Sequence, residues 1–262
     1  MNILETIVEH KREELAGRKQ RVRVSALADT ELYGRPIVSL RQSLRRTPGM
    51  AIIAEVKRAS PAAGILRHNL NPADLAREYS ENGAAAVSVL TDERFFSGAL
   101  ADLASVRLAS ALPLLRKDFI IDEYQLHEAK AHGADAILLI AGILDGKQLS
   151  DLYDAARDLG LEALVELYEE KELNLLDLDR MTLIGVNNRD LRSFTVDLDR
   201  TFAITRHLAS VPDVTVVSES GIRNSDDLKR LLDGGVRAAL VGETLLKSKS
   251  PGQALRDLLS GL

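Results

Sequence analysis

From Ala51 onward, short apolar runs alternate with amphipathic segments of helical length, and this rhythm restricts the possible folds more than any other feature. Eight such runs occur: "AIIAEV" at 51, "AAAVSVL" at 84, "LPLLRK" at 112, "DAILLI" at 135, "EALVEL" at 162, "TLIGVN" at 182, "VTVVSE" at 214 and "AALVG" at 238. Runs that are apolar at consecutive positions read as strands buried on both faces, and their alternation with helices implies parallel βα units. The segments between them carry helix start signals. In "NPADLAREYSENG", Asn71 is the N-cap and Pro72 the first helical residue, and Asn224 opens "NSDDLKRLLDGG" in the same way.

Eight βα units predict a TIM (β/α)8 barrel, whose typical length of about 250 residues suits a chain of 262. The expected organisation is a single domain over 1–262, with 51–262 forming the eight units and 1–50 an N-terminal helical extension. The extension opens on "MNILETIVEHKREELAGRK", with Asn2 as N-cap and Glu5 three residues on. Its apolar residues Ile3, Leu4, Ile7 and Val8 share one helix face instead of forming the unbroken run of a signal peptide. A doubly wound open sheet is the rival architecture, but the Gly-rich first turn it often carries is missing.

Several function classes lose their evidence. The net charge is −5, with 34 basic and 39 acidic residues interspersed, which gives neither a nucleic-acid nor a membrane-surface footprint. There is no cysteine, so disulfides and thiolate metal sites are excluded and the cytoplasm is the expected compartment. Neither G-x-G-x-x-G nor a P-loop occurs. The five histidines are scattered, "HEAKAH" spaces two of them five apart instead of four, and all are read as surface helix residues. No G-x-S-x-G elbow is present. A small soluble partner remains.

In such a barrel the strand C-termini form the active-site end, and there the apolar pattern breaks. The first strand ends in Glu55 and Lys57, the third in Lys117, the fifth in Glu166, the sixth in Asn187 and Arg189, and the seventh in Glu219 and Ser220. Side chains alternate along a strand, so Glu55 and Lys57 share a face, and Lys117 shares one with Leu115 while Arg116 and Asp118 point away. Any one of these residues alone reads as a salt-bridged rim residue. Five strands doing so together imply a ring of two ammonium groups and three carboxylates around one cavity, and mixed charge of this kind concentrates at functional sites. After the seventh and eighth strands, "SESGI" and "VGETLL" bring Gly221 and Gly242 to the position where TIM barrels often bind phosphate. The stretch 58–71 is long for a βα connection. "TDERFFSG" pairs Phe95 with Phe96, either as a loop staple into the core or with one ring lining an aromatic pocket.

Taken in order, "AEVKRASP", "LTDERFFSG", "LLRKDFIIDEYQ", "GADAILLIA", "LVEL", "IGVNNRDL", "VSESGI" and "LVGETLL" resemble the indole-3-glycerol-phosphate synthases of tryptophan biosynthesis, over nearly the whole chain. The resemblance implies a barrel lyase that closes the indole ring of 1-(2-carboxyphenylamino)-1-deoxyribulose 5-phosphate, releasing CO2 and water without metal or organic cofactor. It implies Lys117 as general acid at the ketone oxygen. It places Lys57 at the substrate carboxylate and in the dehydration, Glu55 or Glu166 as base, and Asn187, Arg189 and Glu219 as positioning and stabilising groups. Ser60, Ser220, Gly221, Gly242 and Glu243 match the phosphate positions, Phe96 the aromatic pocket residue, and Leu138 or Leu139 with Leu191 its apolar wall. Departures from the commoner pattern are "SPAAG" without a lysine, Ala99 for serine, Tyr168 for histidine and Thr244 for serine. The rival readings are another phosphate-sugar barrel such as phosphoribosylanthranilate isomerase, whose Cys and Asp pair cannot exist here, and a non-catalytic phosphate-binding module. A monomer or weak homodimer is expected. The first helix is read as a lid on the barrel, and association through it with another chain, including other tryptophan-pathway enzymes, is the alternative.

Overall fold

The computed structural model describes residues 3–190 and 193–262, so the expected cap Asn2 and wall residue Leu191 lie outside the described residues. Among the described residues, eight parallel strands close into a barrel in the order β1, β8, β7, β6, β5, β4, β3, β2. They are β1 Ala51–Val56, β2 Ala86–Leu90, β3 Leu114–Lys117, β4 Ala136–Ile140, β5 Glu162–Leu167, β6 Leu183–Asn187, β7 Thr215–Glu219 and β8 Ala238–Val241. Every predicted run is a strand. Closure leaves no unpaired edge.

The extension supplies α1 Ile3–Arg21, α2 Val24–Ala28 and α3 Leu40–Arg46. Around the barrel run α4 Pro72–Glu81, the single turn α5 Glu93–Phe96, α6 Leu100–Ala109, α7 Tyr124–Ala131 and α8 Gly146–Asp158. After them come α9 Asp199–Leu208, α10 Ser225–Asp233, the short α11 Glu243–Leu246 and α12 Pro251–Leu259. Asn71 and Asn224 cap α4 and α10 as expected, each side chain accepting backbone N–H bonds. The crossover from β5 to β6 departs from the helical pattern. It is a 3₁₀ helix, Glu170–Leu175, organised by the buried Glu172 carboxylate, which accepts from the N–H of Tyr168 (2.6 Å) and of Glu169 (3.1 Å). The long stretch after β1 contains a small hairpin pairing Ala59–Ser60 with Gly64–Ile65. His68 lies in a turn following it, not on a helix, while His10, His127 and His207 are helical and His132 caps α7.

Strand alternation sorts the core into two layers. Ile52, Ala54, Val56, Val87, Val89, Ile137, Leu139 and Val165 face the helices. Ala51, Ile53, Leu115, Leu138, Leu164, Leu183, Val217 and Leu240 fill the barrel interior. The extension serves both ends. Leu40 and Leu44 of α3 join the interior cluster, and Ser43 Oγ donates to the Ala85 carbonyl just before β2 (2.6 Å), closing the N-terminal end. Buried Asp135, just before β4, accepts from the N–H of Val38 (2.7 Å) and of Leu114 (2.8 Å) and pairs with Arg35 and Arg107, fastening the extension to the barrel. At the other end, Ile3, Leu4 and Ile7 of α1 line the mouth cavity. Among the described residues no helix is long and apolar enough to cross a membrane.

Leu40 has no solvent exposure, so Leu40→Ala should lower stability by about 2–5 kcal/mol through lost burial and a residual cavity. Urea denaturation measures this; a loss below about 1 kcal/mol would remove Leu40 from the closing layer.

Candidate active site

At the C-terminal end of the barrel the inward-facing series turns from apolar to ionisable, strand by strand. Ile53 is followed by Glu55 and Lys57, Leu115 by Lys117, Leu164 by Glu166, Gly185 by Asn187 and Val217 by Glu219. The two-residue spacing puts each polar member above an apolar one. These side chains, together with Arg189, line one cavity of about 790 Å³.

Lys117 is at its centre. Its Nζ lies 2.9 Å from Glu166 Oε2 and 2.8 Å from Glu219 Oε2, joining β3 to β5 and β7. Asn187 Nδ2 donates to the other Glu166 oxygen at 3.2 Å. At the end of β1, Glu55 and Lys57, the residue just past the strand, form a close ion pair. Arg189 Nη2 reaches Glu243 Oε2 at 3.0 Å, and Lys247 Nζ takes the second Glu243 oxygen at 2.6 Å. The two ammonium groups and three carboxylates expected around the cavity are therefore brought together.

Their protonation is uneven. Burial pushes Glu219 up to about 8, neighbouring Glu166 adds to that, and Lys117 works against it. Burial also opposes ionisation of Glu166, but Lys117 outweighs it and Asn187 helps, so this carboxyl stays below its ordinary value. For Lys117, burial disfavours the charge while Glu166, Glu219 and Glu55 together hold the ammonium above the usual lysine range. The two carboxyls are thus driven apart, Glu166 towards its ionised and Glu219 towards its protonated form, on either side of the ammonium.

Beside this ring, Ser220 and Gly221 are consecutive left-handed residues, with φ of +68° and +86°. A serine there carries strain of about 1–3 kcal/mol, a cost found mainly at functional turns. A Cβ on Gly221 would fall 2.3 Å from Val196 Cγ1, and one on Gly242 would fall 2.3 Å from Glu55 Oε1, so both turns approach their neighbours closely for want of a side chain. Ser60, Ser220, Gly221, Gly242 and Glu243 all line the cavity. Thr244 lines it too, but its hydroxyl donates to the Ile222 carbonyl and ties the last two loops together.

The apolar wall needs one correction. Leu138 lines the cavity, whereas Leu139 belongs to the layer between strands and helices, because adjacent strand residues face opposite sides. The two phenylalanines divide the two readings. Phe96 lines the cavity, and Phe95 packs edge-on against His10 of α1, with ring centroids 5.9 Å apart. "TDERFFSG" is not a plain loop: Asp92 caps α5 by accepting from Phe95 N (2.8 Å). Of the departures, Tyr168 stacks under the Arg200 guanidinium at 3.8 Å, and Ala99 leaves α6 without a side-chain cap. Residues not anticipated in the lining include Ile3, Leu4 and Ile7 of α1, Phe119, Arg223 and Lys247. The apolar stripe on α1 was the available signal for the first three.

A closed parallel barrel whose mouth carries a buried ammonium between unequal carboxyls, flanked by two Gly turns, defines an acid–base enzyme of the (β/α)8 class. The family model described as indole-3-glycerol phosphate synthase matches residues 4–258, and the chain belongs to that family. An indole-3-glycerol phosphate synthase of Salinibacter ruber is 46% identical over 98% of this chain and 95% of its own length. Another, of Desulfotalea psychrophila, is 46% identical over 98% of both. Among solved structures, a mutant tryptophan synthase alpha-subunit of Pyrococcus furiosus has a TM-score of 0.62 at 15% identity, covering 81% of this chain and 98% of that one. A thiamine phosphate pyrophosphorylase of the same organism has a TM-score of 0.60 at 17% identity, covering 85% and 96%. At such identities the likeness is one of fold alone.

Folding raises the Glu219 carboxyl to about 8 from an ordinary 4.5. Its contribution to stability is therefore complete below about 4.5 and is lost as pH rises towards about 8. Glu219→Gln should gain stability relative to wild type across that window, as measured by urea denaturation at a series of pH values. A constant offset at every pH would show that Glu219 is not protonated in the folded protein.

Proposed function

We propose that this chain closes the indole ring of 1-(2-carboxyphenylamino)-1-deoxyribulose 5-phosphate to give indole-3-glycerol phosphate, CO2 and water, with Lys117 as the acid of the ring-closing step. Family membership supports the reaction and the carboxy-lyase class. The observation that carries the residue assignment is the Lys117 ammonium held at 2.9 and 2.8 Å from two carboxyls on the inner wall of the barrel.

The chemistry follows from those groups. The ring carbon bearing the substrate carboxylate attacks the ketone carbon, and the Lys117 Nζ proton goes to the ketone oxygen, giving a hydroxyl. The bond to the carboxylate then breaks, its electron pair returns to the ring, and CO2 leaves. Lys57 is close enough to the ring of charges to meet that carboxylate before it departs. It then protonates the hydroxyl, which leaves as water, while a carboxylate base takes a proton from the methylene carbon beside the nitrogen, so that the C–H electron pair becomes the second bond of the indole C=C and the N–H is kept. Glu166 suits the base role, because Lys117 keeps it ionised. Glu55, paired with Lys57, is the other candidate. Glu219, driven towards its protonated form, holds Lys117 from the far side, and Asn187 and Arg189 fix Glu166 and Glu243.

The turns at Ser220–Gly221 and Gly242–Glu243, with Ser60, are assigned to the substrate phosphate. Their backbone can approach it closely, and Arg189, Lys247 and Lys57 supply positive charge nearby. Phe96 and Leu138 are assigned to the anthranilate ring. The extension and barrel are taken to act as one domain, and because α1 buries Ile7, Val8 and Leu15 on its own barrel, a monomer or weak homodimer is favoured over docking to another pathway enzyme through this helix. The compartment proposed is the cytoplasm.

Purified protein given the anilino-deoxyribulose phosphate should develop indole fluorescence, and Lys117→Ala should lower kcat about 10²–10⁴-fold, the usual worth of a general acid. Absence of wild-type turnover would refute the reaction; full activity in Lys117→Ala would refute the acid. Gly242→Asp places a carboxylate at the phosphate turn and should raise KM at least about tenfold; an unchanged KM would move the phosphate elsewhere.

A further inference from the structure

We infer that Lys11 of α1 is a positioning residue for this active site: it pins the helix over the cavity mouth and fixes Lys117 and Phe96 through the carboxylates beside them. The inference rests on the proposed role of Lys117.

Lys11 is 1% exposed, and lysine is almost never buried so completely unless paired. Its Nζ lies 2.9 Å from Glu14 Oε2, 2.9 Å from Asp92 Oδ2 and 3.0 Å from Asp118 Oδ1. Two of those partners adjoin the active-site wall. Asp118 follows Lys117 directly and also accepts from Thr91 Oγ1 (2.6 Å), Arg116 Nη2 (3.0 Å) and Phe119 N (2.8 Å). Asp92 ends the turn after β2 and, through its other oxygen, caps α5, which carries Phe96 into the cavity.

A second tie runs parallel to the first. Arg18 reaches Glu14 (2.5 Å), Glu93 (3.0 Å) and Glu128 (3.2 Å), and Glu128 meets Arg116, the residue preceding Lys117, at 3.1 Å. The network therefore links α1, α5, β3 and α7. One turn before Lys11 on the same helix, Ile7 lines the cavity, as do Ile3 and Leu4 further on.

The charge balance explains why this pair should matter to function. Burial works against the Lys11 charge, yet Asp118 and Asp92 hold its ammonium above the usual lysine range, and Arg116 and Lys11 together hold Asp118 below its own despite its burial. Without Lys11, Asp118 keeps Arg116 but the buried Asp92 loses the cation that pairs it, and breaking such a pair is strongly unfavourable. Relief requires the turn after β2 or the end of β3 to move, which displaces Phe96 or Lys117. Displacements of about 1 Å at a reacting group can lower rates about 10²-fold. The exposed pair of Lys19, on the same helix, with Asp122, in the loop before α7, lacks this coupling.

The test compares Lys11→Met, Lys11→Arg and Lys19→Met, with steady-state kinetics on folded protein and trypsin cleavage of α1 as a second readout. Lys11→Met should raise KM and lower kcat, together costing about 10²-fold in kcat/KM, and should speed cleavage within α1 about tenfold or more. Lys11→Arg, which keeps the charge, should recover most of both, and Lys19→Met should match wild type. If Lys11→Met fails to fold, Lys11→Met with Asp92→Asn removes the unbalanced charge and is measured in its place. Wild-type kinetics in the folded variant overturn the inference. Equal α1 cleavage in wild type and variant overturns it whether or not the substrate is turned over, whereas wild-type inactivity alone refutes the proposed reaction.

Discussion

Everything at this site depends on strand alternation inside a closed barrel. Each strand presents every second residue to an interior that water reaches only at the ends, so its inward set must be apolar in the middle and can become ionisable only at the mouth. Leu115 and Lys117, Leu164 and Glu166, and Val217 and Glu219 are three instances of that rule. Because the strands are in fixed register, with Asn187 opposite Glu219 and Ile140 opposite Glu166, the mouth residues from separate strands converge without further specification.

Convergence makes an electrostatic problem, and its solution is the chemistry. A lone ammonium or carboxylate at these depths would neutralise itself. Lys117 placed between Glu166 and Glu219 keeps its proton and holds Glu166 towards the ionised form, while burial and the neighbouring Glu166 push Glu219 towards the protonated one. The site thus stores an acid and a base side by side at neutral pH. The same principle recurs one layer out, where Lys11 and Arg116 balance Asp92 and Asp118 behind the wall.

The strands and most of the ring were legible in the sequence because both rest on period-two patterning. "AIIAEVK" already states that Glu55 and Lys57 share a side, and the ion pair between them follows. What was not legible depended on a single step of register or on long-range pairing. Leu138 and Leu139 are both apolar and adjacent, and only the barrel decides that Leu139 faces the helices. Glu172 organises a 3₁₀ crossover where the sequence pattern suggests a helix. Lys11 is one basic residue among several on a charged helix, and its partners stand in elements far away in the chain. Arg116 is turned away from the cavity as expected, whereas Asp118 reaches its lining while its carboxylate joins Arg116 and Lys11 in a buried ionic network, which alternation alone does not reveal.

The central claim is that the cavity holds substrate with its phosphate at the two Gly turns and its reacting carbon under Lys117. A crystal structure of the complex with indole-3-glycerol phosphate tests it most directly. The expected complex has phosphate oxygens about 3 Å from backbone N–H groups of Gly221 and Glu243, and the indole ring between Phe96 and Leu138 with Lys117 Nζ over its reacting edge. A phosphate bound outside those turns, or a ring turned away from Lys117, would contradict it.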